Sequence, residues 1–311
     1  MTEAAALLAL ALDAALGWPV WLHARTGHPV GAFARLIATC DVGFNRPDRS
    51  DAQRRLFGGA TLLLLIGTTG VAGYALEAAA HRIAGSFAWV VIALLAWPGL
   101  AQRSLYDHYC PILIALQNGD LTEARRAVGM IVGRDTAVLK ETGVARAAIE
   151  SLAESFCDGI AAPLFWFLIF GLPGLWLYKA INTADSLIGH KEEPYTAFGM
   201  VAARTDDAMN FIPARLAALL ICLAGGGGWR VLWRDHGKHA SPNAGWPEAA
   251  MAGALGVRLA GPAVYGGHRI QKPWIGTGTP PGIEAMMQAR LIYLRACGIV
   301  WILAGAIAWV R

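Results

Sequence analysis

The chain has 311 residues, of which 56% are hydrophobic and 15% are charged, and its mean hydropathy is +0.44. Soluble proteins carry about 25% charged residues, so this composition is typical of an integral membrane protein. The net charge of +4 is small and the basic residues are spread over several loops, which argues against a nucleic-acid-binding surface. Five isolated cysteines without a CxxC pair argue against a disulfide framework or a zinc site, and favour a reduced, cytoplasm-facing setting.

The first apolar run, residues 3–22, differs from a secretory signal peptide. A signal peptide has a basic start and an uninterrupted apolar centre. Here no Lys or Arg precedes Arg25, and Asp13 interrupts the run. We therefore interpret residues 3–22 as a retained first membrane span.

Further apolar runs alternate with polar stretches along the rest of the chain. The apolar runs are residues 56–79, 83–100, 160–178, 211–224 and 297–310, and the polar stretches are residues 23–55, 101–158 and 225–296. The polar stretches hold most of the Lys and Arg, so the positive-inside rule places them in the cytoplasm. We predict an all-α, polytopic membrane protein with about five or six apolar helices. The polar segments 101–158 and 225–296 are predicted to be helical and integral to a single membrane-embedded domain that covers residues 1–311.

The run 160–178 is uncharged and long enough to cross a bilayer core. The sequence GLPG, from Gly171 to Gly174, lies in its middle, where Gly and Pro can interrupt a helix. A single full crossing is the simpler interpretation. Two half-helices that enter and leave on one face are the alternative, provided that protein or a wet cavity covers the break.

A stripe of charged residues precedes this run. Arg146, Glu150, Glu154 and Asp158 recur every four residues, which places them on one face of a helix. Like charges at this spacing repel one another and weaken a helix slightly. A solvated surface stripe and a site for a divalent cation such as Mg²⁺ both account for the pattern.

Polar residues also follow the run 160–178. Tyr178, Asn182 and Asp185 share one predicted helix face, and Lys179 lies beside them. A lysine at the end of an apolar helix commonly extends its ammonium group to the interface. Several polar groups together at membrane depth are costly and usually functional, so we interpret this set as part of a site.

The segment FGMVAARTDDAMNFIPARL supplies another polar set. Acids at a helix start are explained by the helix dipole, which accounts for Asp206 and Asp207. The dipole does not account for the neighbouring Arg204 and Arg215.

The segment WRDHGKHASPNAGWPEAAMAGAL is interpreted as a basic loop before a helix. Its two histidines, His236 and His239, have no third ligand at helical spacing, so a metal site is not predicted there. Ser241 and Asn243 could meet an anion through backbone N–H groups and the helix N-terminus. The sequence contains no GxxxxGK[ST] phosphate loop.

Six motifs in this order resemble the adenosylcobinamide-phosphate synthase family, membrane proteins of late cobalamin biosynthesis. They are HPV, IVGRDT, AIESLAES…DGIAAPLF, YKAINTADS, FGMVAARTDDAMNFIPARL and SPNAGWPEAAMAGAL, from His28 to about Tyr265. The resemblance implies an acid–amine ligase that joins a propionate of adenosylcobyric acid to aminopropanol phosphate. It implies adenosylcobinamide phosphate as product and an acyl phosphate, derived from ATP, as intermediate.

The resemblance also implies partners and a location. Mg²⁺ and ATP are expected as cofactor and cosubstrate, with a corrinoid and an amino-alcohol phosphate as substrates. The expected location is the inner (cytoplasmic) membrane, as a multi-pass protein in the lipid bilayer with no nucleic-acid partner. The resemblance is compatible with a homo-oligomer or with a complex with other proteins of cobalamin assembly. The corrinoid would occupy a cavity, and the run 160–178 would form one wall of that cavity.

The motifs and the charge patterns together give three predicted groups of site residues. The predicted catalytic residues are Glu154, Lys179, Asp185 and Asp207, and the predicted metal ligands are Glu150, Glu154, Asp158 and Asp206. The predicted substrate-binding residues are His28, Arg134, Asp135, Tyr178, Asn182, Arg204, Asn210, Arg215, Lys238, Ser241 and Asn243.

Two alternatives from other functional classes are a transporter and a lipid-headgroup alcohol phosphotransferase. A transporter is expected to show an internal repeat, which is not apparent in this sequence. The phosphotransferase is expected to carry its acids after a DG pair at four-residue spacing. Here the acids precede Asp158.

Overall fold

The computed structural model describes residues 2–190, 192–265 and 267–310 and is predominantly helical. The α-helices are α1 (Thr2–Leu16), α2 (Val20–Thr26), α3 (Pro29–Phe44), α4 (Asp51–Ala84), α5 (Ala88–Ala96), α6 (Gln102–Gln117), α7 (Leu121–Val128), α8 (Glu141–Phe156), α9 (Ala162–Ile188), α10 (Tyr195–Phe198), α11 (Met200–Met209), α12 (Phe211–Gly225), α13 (Trp229–Asp235), α14 (Gly245–Leu255) and α15 (Ile283–Val310). Four short strands are β1 (Leu259–Ala260), β2 (Ala263–Tyr265), β3 (His268–Ile270) and β4 (Trp274–Ile275).

Several helical stretches are long and apolar enough to cross a membrane. Within the residues that the structure describes, three meet this condition directly, namely Asp51–Gln117, Glu141–Ile188 and Ile283–Val310. Two bent pairs, α1 with α2 and α11 with α12, raise the number to five if each pair is one span. The predicted all-α, polytopic membrane fold is confirmed.

Two apolar runs differ in detail from the helices that contain them. The first run bends by 106° between α1 and α2, where Gly17 has a positive φ and Pro19 precedes α2. The last helix begins at Ile283, well before the run 297–310. Its first half is amphipathic and buries Met286 and Tyr293, so hydropathy alone did not reveal it.

Contacts divide the chain into two compact units. Unit 1 comprises Met1–Ala101, Ala162–Asn210 and Ala304–Arg311, and unit 2 comprises Gln102–Ala161 and Phe211–Leu303. Almost all of the polar segments 101–158 and 225–296 belongs to unit 2.

Unit 1 is built around close packing of α4 against α9 and α10. Ile37, Leu65, Ile181 and Phe198 form part of its buried core. Gly58 allows α4 to approach the backbone of α10, because a Cβ atom there would lie 1.8 Å from the Phe198 carbonyl oxygen.

Helix α9 is broken at Gly171, which has φ 65° and ψ −153°. The Glu77 carboxylate on α4 accepts a hydrogen bond from the Leu172 N–H at 2.9 Å. It thereby satisfies one of the N–H groups that a helix start leaves without a partner. Pro173 follows in the first turn of the second half, where its missing N–H costs little. The interruption that GLPG offered as the alternative to an unbroken helix is therefore present, at Gly171.

His28 caps the start of α3 in unit 1. Its Nδ1 accepts a hydrogen bond from the Val30 N–H at 3.2 Å, and its ring meets Trp18 edge-on at 5.1 Å. Burial, followed by the nearby Lys179 and His23, lowers the pKa of His28 from 6.5 to about 4. The cap is therefore neutral at pH 7.

Unit 2 packs α12, α13 and α14 together and α14 against α8. Two buried tyrosines attach α6 to α15: the Tyr109 hydroxyl donates to the Met286 carbonyl at 3.0 Å, and the Tyr293 hydroxyl to the Gln102 carbonyl at 2.6 Å. A π-helical turn, Cys157–Ala161, follows α8.

A strap of two antiparallel strand pairs, residues 257–279, lies in unit 2. Strand β1 pairs with β4 and β2 pairs with β3. Asp235 is fully buried and fastens the strap, since it accepts hydrogen bonds from Arg234 at 2.7 Å, Lys238 at 2.8 Å and the Gly276 N–H at 2.7 Å. The Arg234 guanidinium, with Lys238 and the Gly276 amide, holds the pKa of Asp235 well below its usual range.

Replacing Gly58 by alanine should strongly destabilise the protein, because the new methyl group would overlap the Phe198 carbonyl. The expected loss is at least about 1–3 kcal/mol, the usual cost of overpacking. Gly67→Ala, on the same helix, is the matched control because no atom lies within 4 Å of its Cβ position. Thermal unfolding in detergent should show a lower midpoint for Gly58→Ala alone. Equal midpoints for the two variants would contradict the packing of α4 on α10.

Acid should destabilise unit 1 through His28. The unfolded chain protonates this histidine near pH 6.5 and the folded chain only near pH 4, so stability falls as the pH drops between these values. His28→Asn keeps an N-cap side chain but does not titrate. Its melting temperature should fall less than that of the wild type between pH 7 and pH 4.5. Identical profiles of melting temperature against pH for the two proteins would show that the neutral state of the His28 cap contributes nothing to stability.

Candidate active site

Unit 2 contains a polar cavity of about 290 Å³. This volume lies at the small end of the range for ligand pockets. The polar side chains that line it are Arg134, Glu150, Ser151, Glu154, His239, Glu248 and Lys272, and the strap contributes Ala260, Gly261 and Ala263. Three carboxyl groups and several cationic or N–H-bearing groups therefore face one small space.

Both carboxylate oxygens of Glu150 have interaction partners. It pairs with the Arg134 guanidinium, and the Arg146 Nε lies 3.8 Å from its Oε1. The same Oε1 accepts a hydrogen bond from the Ala260 N–H at 2.6 Å. Ala260 has φ 56°, a conformation that is uncommon for a residue other than glycine. Glu150 therefore fixes a strained turn of the strap on α8, and its predicted metal role competes with these contacts.

Glu154, His239 and Glu248 form the second group in the cavity. One ligand atom from each lies within 4.8 Å of the others, and His239 Nε2 is 3.6 Å from Glu248 Oε1. Glu248 is 2% exposed, and among the described residues its Oε2 has no hydrogen-bond partner. Burial, and then the neighbouring Glu154 and Glu150, raise the pKa of Glu248 well above its usual range. This carboxyl pair requires a proton or a cation between its members.

The charged stripe that the sequence predicts on α8 is only partly realised. Arg146 and Glu150 are in contact and Glu154 faces the cavity, as four-residue spacing requires. Asp158 lies in the π-helical turn, whose wider geometry changes the helical register. Among the described residues it does not line this cavity.

Predicted binding residues elsewhere in unit 2 hold the loops around the cavity. The Asp135 N–H donates to the Val264 carbonyl at 3.0 Å, and its carboxylate accepts from the Ala137 N–H at 3.1 Å. Lys238 pairs with Asp235 at 2.8 Å. These contacts position loop and strap, and a substrate-binding role for these two residues stays a prediction.

The Ser241–Asn243 loop satisfies its own polar groups. The Ser241 hydroxyl accepts from the N–H groups of Asn243 at 3.2 Å and Ala244 at 3.3 Å. Buried Asn243 accepts from Arg215 at 3.4 Å, and the Arg215 guanidinium lies 4.5 Å from the Trp246 ring centre. The predicted anion-binding donors are therefore engaged within the loop, and their binding role stays a prediction.

Unit 1 holds a separate hydrogen-bonded chain. The Tyr178 hydroxyl donates to Asn210 Oδ1 at 3.0 Å, and Asn210 donates to Asp206 Oδ2 at 3.0 Å. Asn182 donates to the other oxygen of Asp206 at 3.3 Å. The structure thus brings three predicted site residues together around the buried carboxylate of a fourth, Asp206.

The remaining predicted residues of unit 1 on α9 and α11 are charged. Asp185 lies within electrostatic range of Asp206 and Asp207. Lys179 is half-buried and acts electrostatically on His28, whereas Arg204 is exposed. The predicted metal set is therefore divided, with Asp206 in unit 1 and its three predicted partners in unit 2.

Four of the polar residues that line the unit 2 cavity were not predicted as site residues, namely Ser151, His239, Glu248 and Lys272. His239 was set aside because no third ligand stood at helical spacing, whereas Glu154 comes from a different helix. Glu248 has the sequence signature of an ordinary acid in the first turn of a helix. No local signal in the sequence distinguishes Lys272.

Comparison with known proteins places the chain in one family. The family model for CobD/Cbib protein matches residues 6–293. The cobalamin biosynthesis protein CobD of Rhodobacter capsulatus is 47% identical over 306 residues, covering 97% of this chain and 96% of that protein. Proteins of the same name are 44% identical in a Sinorhizobium species, with 94% of each chain covered, and 45% in Geobacter metallireducens, with 98% and 97% covered. No solved structure matches this chain. The predicted family is thus confirmed, and the chain belongs to the CobD/Cbib family, that of the adenosylcobinamide-phosphate synthases.

Proposed function

We propose that this protein acts in cobalamin biosynthesis as an amide-bond-forming ligase that makes adenosylcobinamide phosphate. The observation that carries the proposal is a match to relatives named for cobalamin biosynthesis along nearly the whole chain. The substrates would be adenosylcobyric acid and aminopropanol phosphate. Its place would be the inner membrane, where the apolar helices contact lipid.

The proposed chemistry begins with activation of a carboxylate. A carboxylate oxygen attacks the γ-phosphorus of ATP, which gives an acyl phosphate and ADP. The amine, after losing a proton, attacks the acyl carbon, and the bond between that carbon and the phosphate oxygen breaks. Inorganic phosphate leaves and takes up the second proton that the nitrogen loses, and the amide remains. Phosphoryl transfer of this kind depends on positioning and on charge neutralisation around the phosphate oxygens.

The cavity of unit 2 has the groups that this chemistry requires. The buried Oε2 of Glu248 has no hydrogen-bond partner among the described residues and lies next to Glu154, so the pair is suited to a cation. Mg²⁺ held by these oxygens would supply charge neutralisation to phosphate oxygens. Arg134 and Lys272 line the same cavity and would attract the phosphate.

The polar chain of unit 1 is proposed to contact substrate. Lys179 and Arg204 are the cations that would meet a phosphate, and Asp185 and Asp207 supply nearby carboxylates. Tyr178, Asn182 and Asn210 offer hydrogen bonds to a polar substrate such as the amide-rich corrinoid.

The direct test is product formation by the purified full-length protein in detergent. It would be incubated with adenosylcobyric acid, aminopropanol phosphate, ATP and Mg²⁺, and the product followed by mass spectrometry. We expect adenosylcobinamide phosphate together with ADP. Glu154→Gln should lower turnover at least about tenfold, whereas Glu123→Gln, an exposed acid paired with Arg126, should not change it. Absence of product with all components present would contradict the proposed function.

A further inference from the structure

Distances alone make Glu154, His239 and Glu248 resemble a metal site of two carboxylates and one histidine. His239 Nε2 and Glu248 Oε1 are 3.6 Å apart, a separation that two ligands of one ion can have. An imidazole ligand would favour a transition metal, whereas oxygen ligands alone favour Mg²⁺ or Mn²⁺. Whether His239 is a ligand therefore decides which metal the cavity selects.

The hydrogen bonding of His239 argues against coordination through Nε2. The Ser241 N–H donates to His239 Nδ1 at 3.0 Å. A backbone N–H can only donate, so Nδ1 must carry the lone pair and the neutral ring must carry its hydrogen on Nε2. Metal-bound histidines show the opposite arrangement, in which the second ring nitrogen donates its hydrogen to an acceptor.

The loop that follows His239 holds the ring in this state. The Ser241 hydroxyl accepts from two backbone N–H groups, those of Asn243 and Ala244, which fixes the direction of the Ser241 N–H. If the ring hydrogen of His239 moved to Nδ1, the Ser241 N–H would lose its acceptor. The two hydrogens, that on Nδ1 and that of the Ser241 amide, would then face each other. The Nε2–H therefore faces the carboxyl pair.

We infer that Glu154 and Glu248 bind a divalent cation through oxygen atoms alone, and that His239 is a positioning residue whose Nε2–H orients the Glu248 carboxylate. The unsatisfied, buried Oε2 of Glu248 is the atom available to the cation. This inference rests on the proposed Mg²⁺ dependence, and it names the ligand atoms and excludes the histidine.

The probe is Mn²⁺, which shares the oxygen preference of Mg²⁺ and gives an electron paramagnetic resonance signal. Full-length protein in detergent would be titrated with Mn²⁺ without ATP, corrinoid or amino alcohol. We expect one saturable site per chain, with no ¹⁴N coupling from a directly bound imidazole. Glu248→Gln and Glu154→Gln should each weaken Mn²⁺ binding at least about tenfold. Using both variants keeps the test decisive if one of them fails to fold.

The role of His239 is tested by two substitutions and a control. His239→Gln places an amide N–H near the position of Nε2–H and should keep the Mn²⁺ affinity. His239→Ala should weaken binding about tenfold, as loss of an outer partner does. His268→Gln, at an exposed position on β3, should have no effect.

Three results would overturn the inference. The first is a ¹⁴N coupling in the wild type that disappears in His239→Ala. The second is the absence of saturable binding, or binding that neither glutamine substitution of the carboxylates weakens. The third is equal loss of affinity in the two His239 variants. Because no substrate is present, these results are independent of whether the synthesis assay yields product.

Discussion

The ion cluster around Glu150 is the interaction on which the unit 2 cavity depends. Its carboxylate joins helix α8 to Arg134 and to the amide of Ala260 on the strap. Buried charges are tolerated only when they are paired and hydrogen-bonded, and loss of one partner costs about 3–5 kcal/mol. Because Glu150 meets this condition on both oxygens, it can hold the cavity walls in place.

Glu248, one of the other two carboxyl groups of the cavity, differs from Glu150 because its two oxygens are not both hydrogen-bonded. Glu248 is as deeply buried as Glu150, yet among the described residues its Oε2 has no hydrogen-bond partner. Placing Glu154 beside it adds repulsion between like charges. A protein retains such an unfavourable pair when function requires it, and stability is then lower than it could be. The cavity thus combines one satisfied carboxylate, which supports the walls, with a second carboxyl pair, Glu154 and Glu248, in which the Glu248 Oε2 has no hydrogen-bond partner and is suited to a cation.

Local cues explain which features the sequence predicted. Composition and apolar runs predicted an all-α membrane protein, and the GLPG segment indicated, as the alternative to an unbroken span, the interruption seen at Gly171. Four-residue spacing placed Glu150 and Glu154 on one face of α8. The π-helical turn at Asp158 was not predictable from this spacing, because the pattern assumes a uniform α-helix.

Features that arise from long-range contacts were not predicted. Glu248 and His239 reach Glu154 from elements far along the chain, and the strap brings Lys272 to the same cavity. A search for ligands at helical spacing cannot detect such a set. The tautomer of His239 is likewise fixed by the Ser241 amide, a contact that only the folded loop reveals.

The most direct test of this account compares Glu248→Gln with Glu150→Gln for both melting temperature and synthesis of adenosylcobinamide phosphate. Glutamine at position 248 removes the ionisable carboxyl group, and with it the repulsion between like charges, while its amide can still bond to Glu154. The account predicts that Glu248→Gln loses synthesis but melts at or above the wild-type temperature. Glu150→Gln should melt well below it, because Arg134 and Arg146 lose their shared carboxylate. A Glu248→Gln protein that keeps full synthesis, or that melts as low as Glu150→Gln, would contradict the division between a supporting and a functional carboxylate.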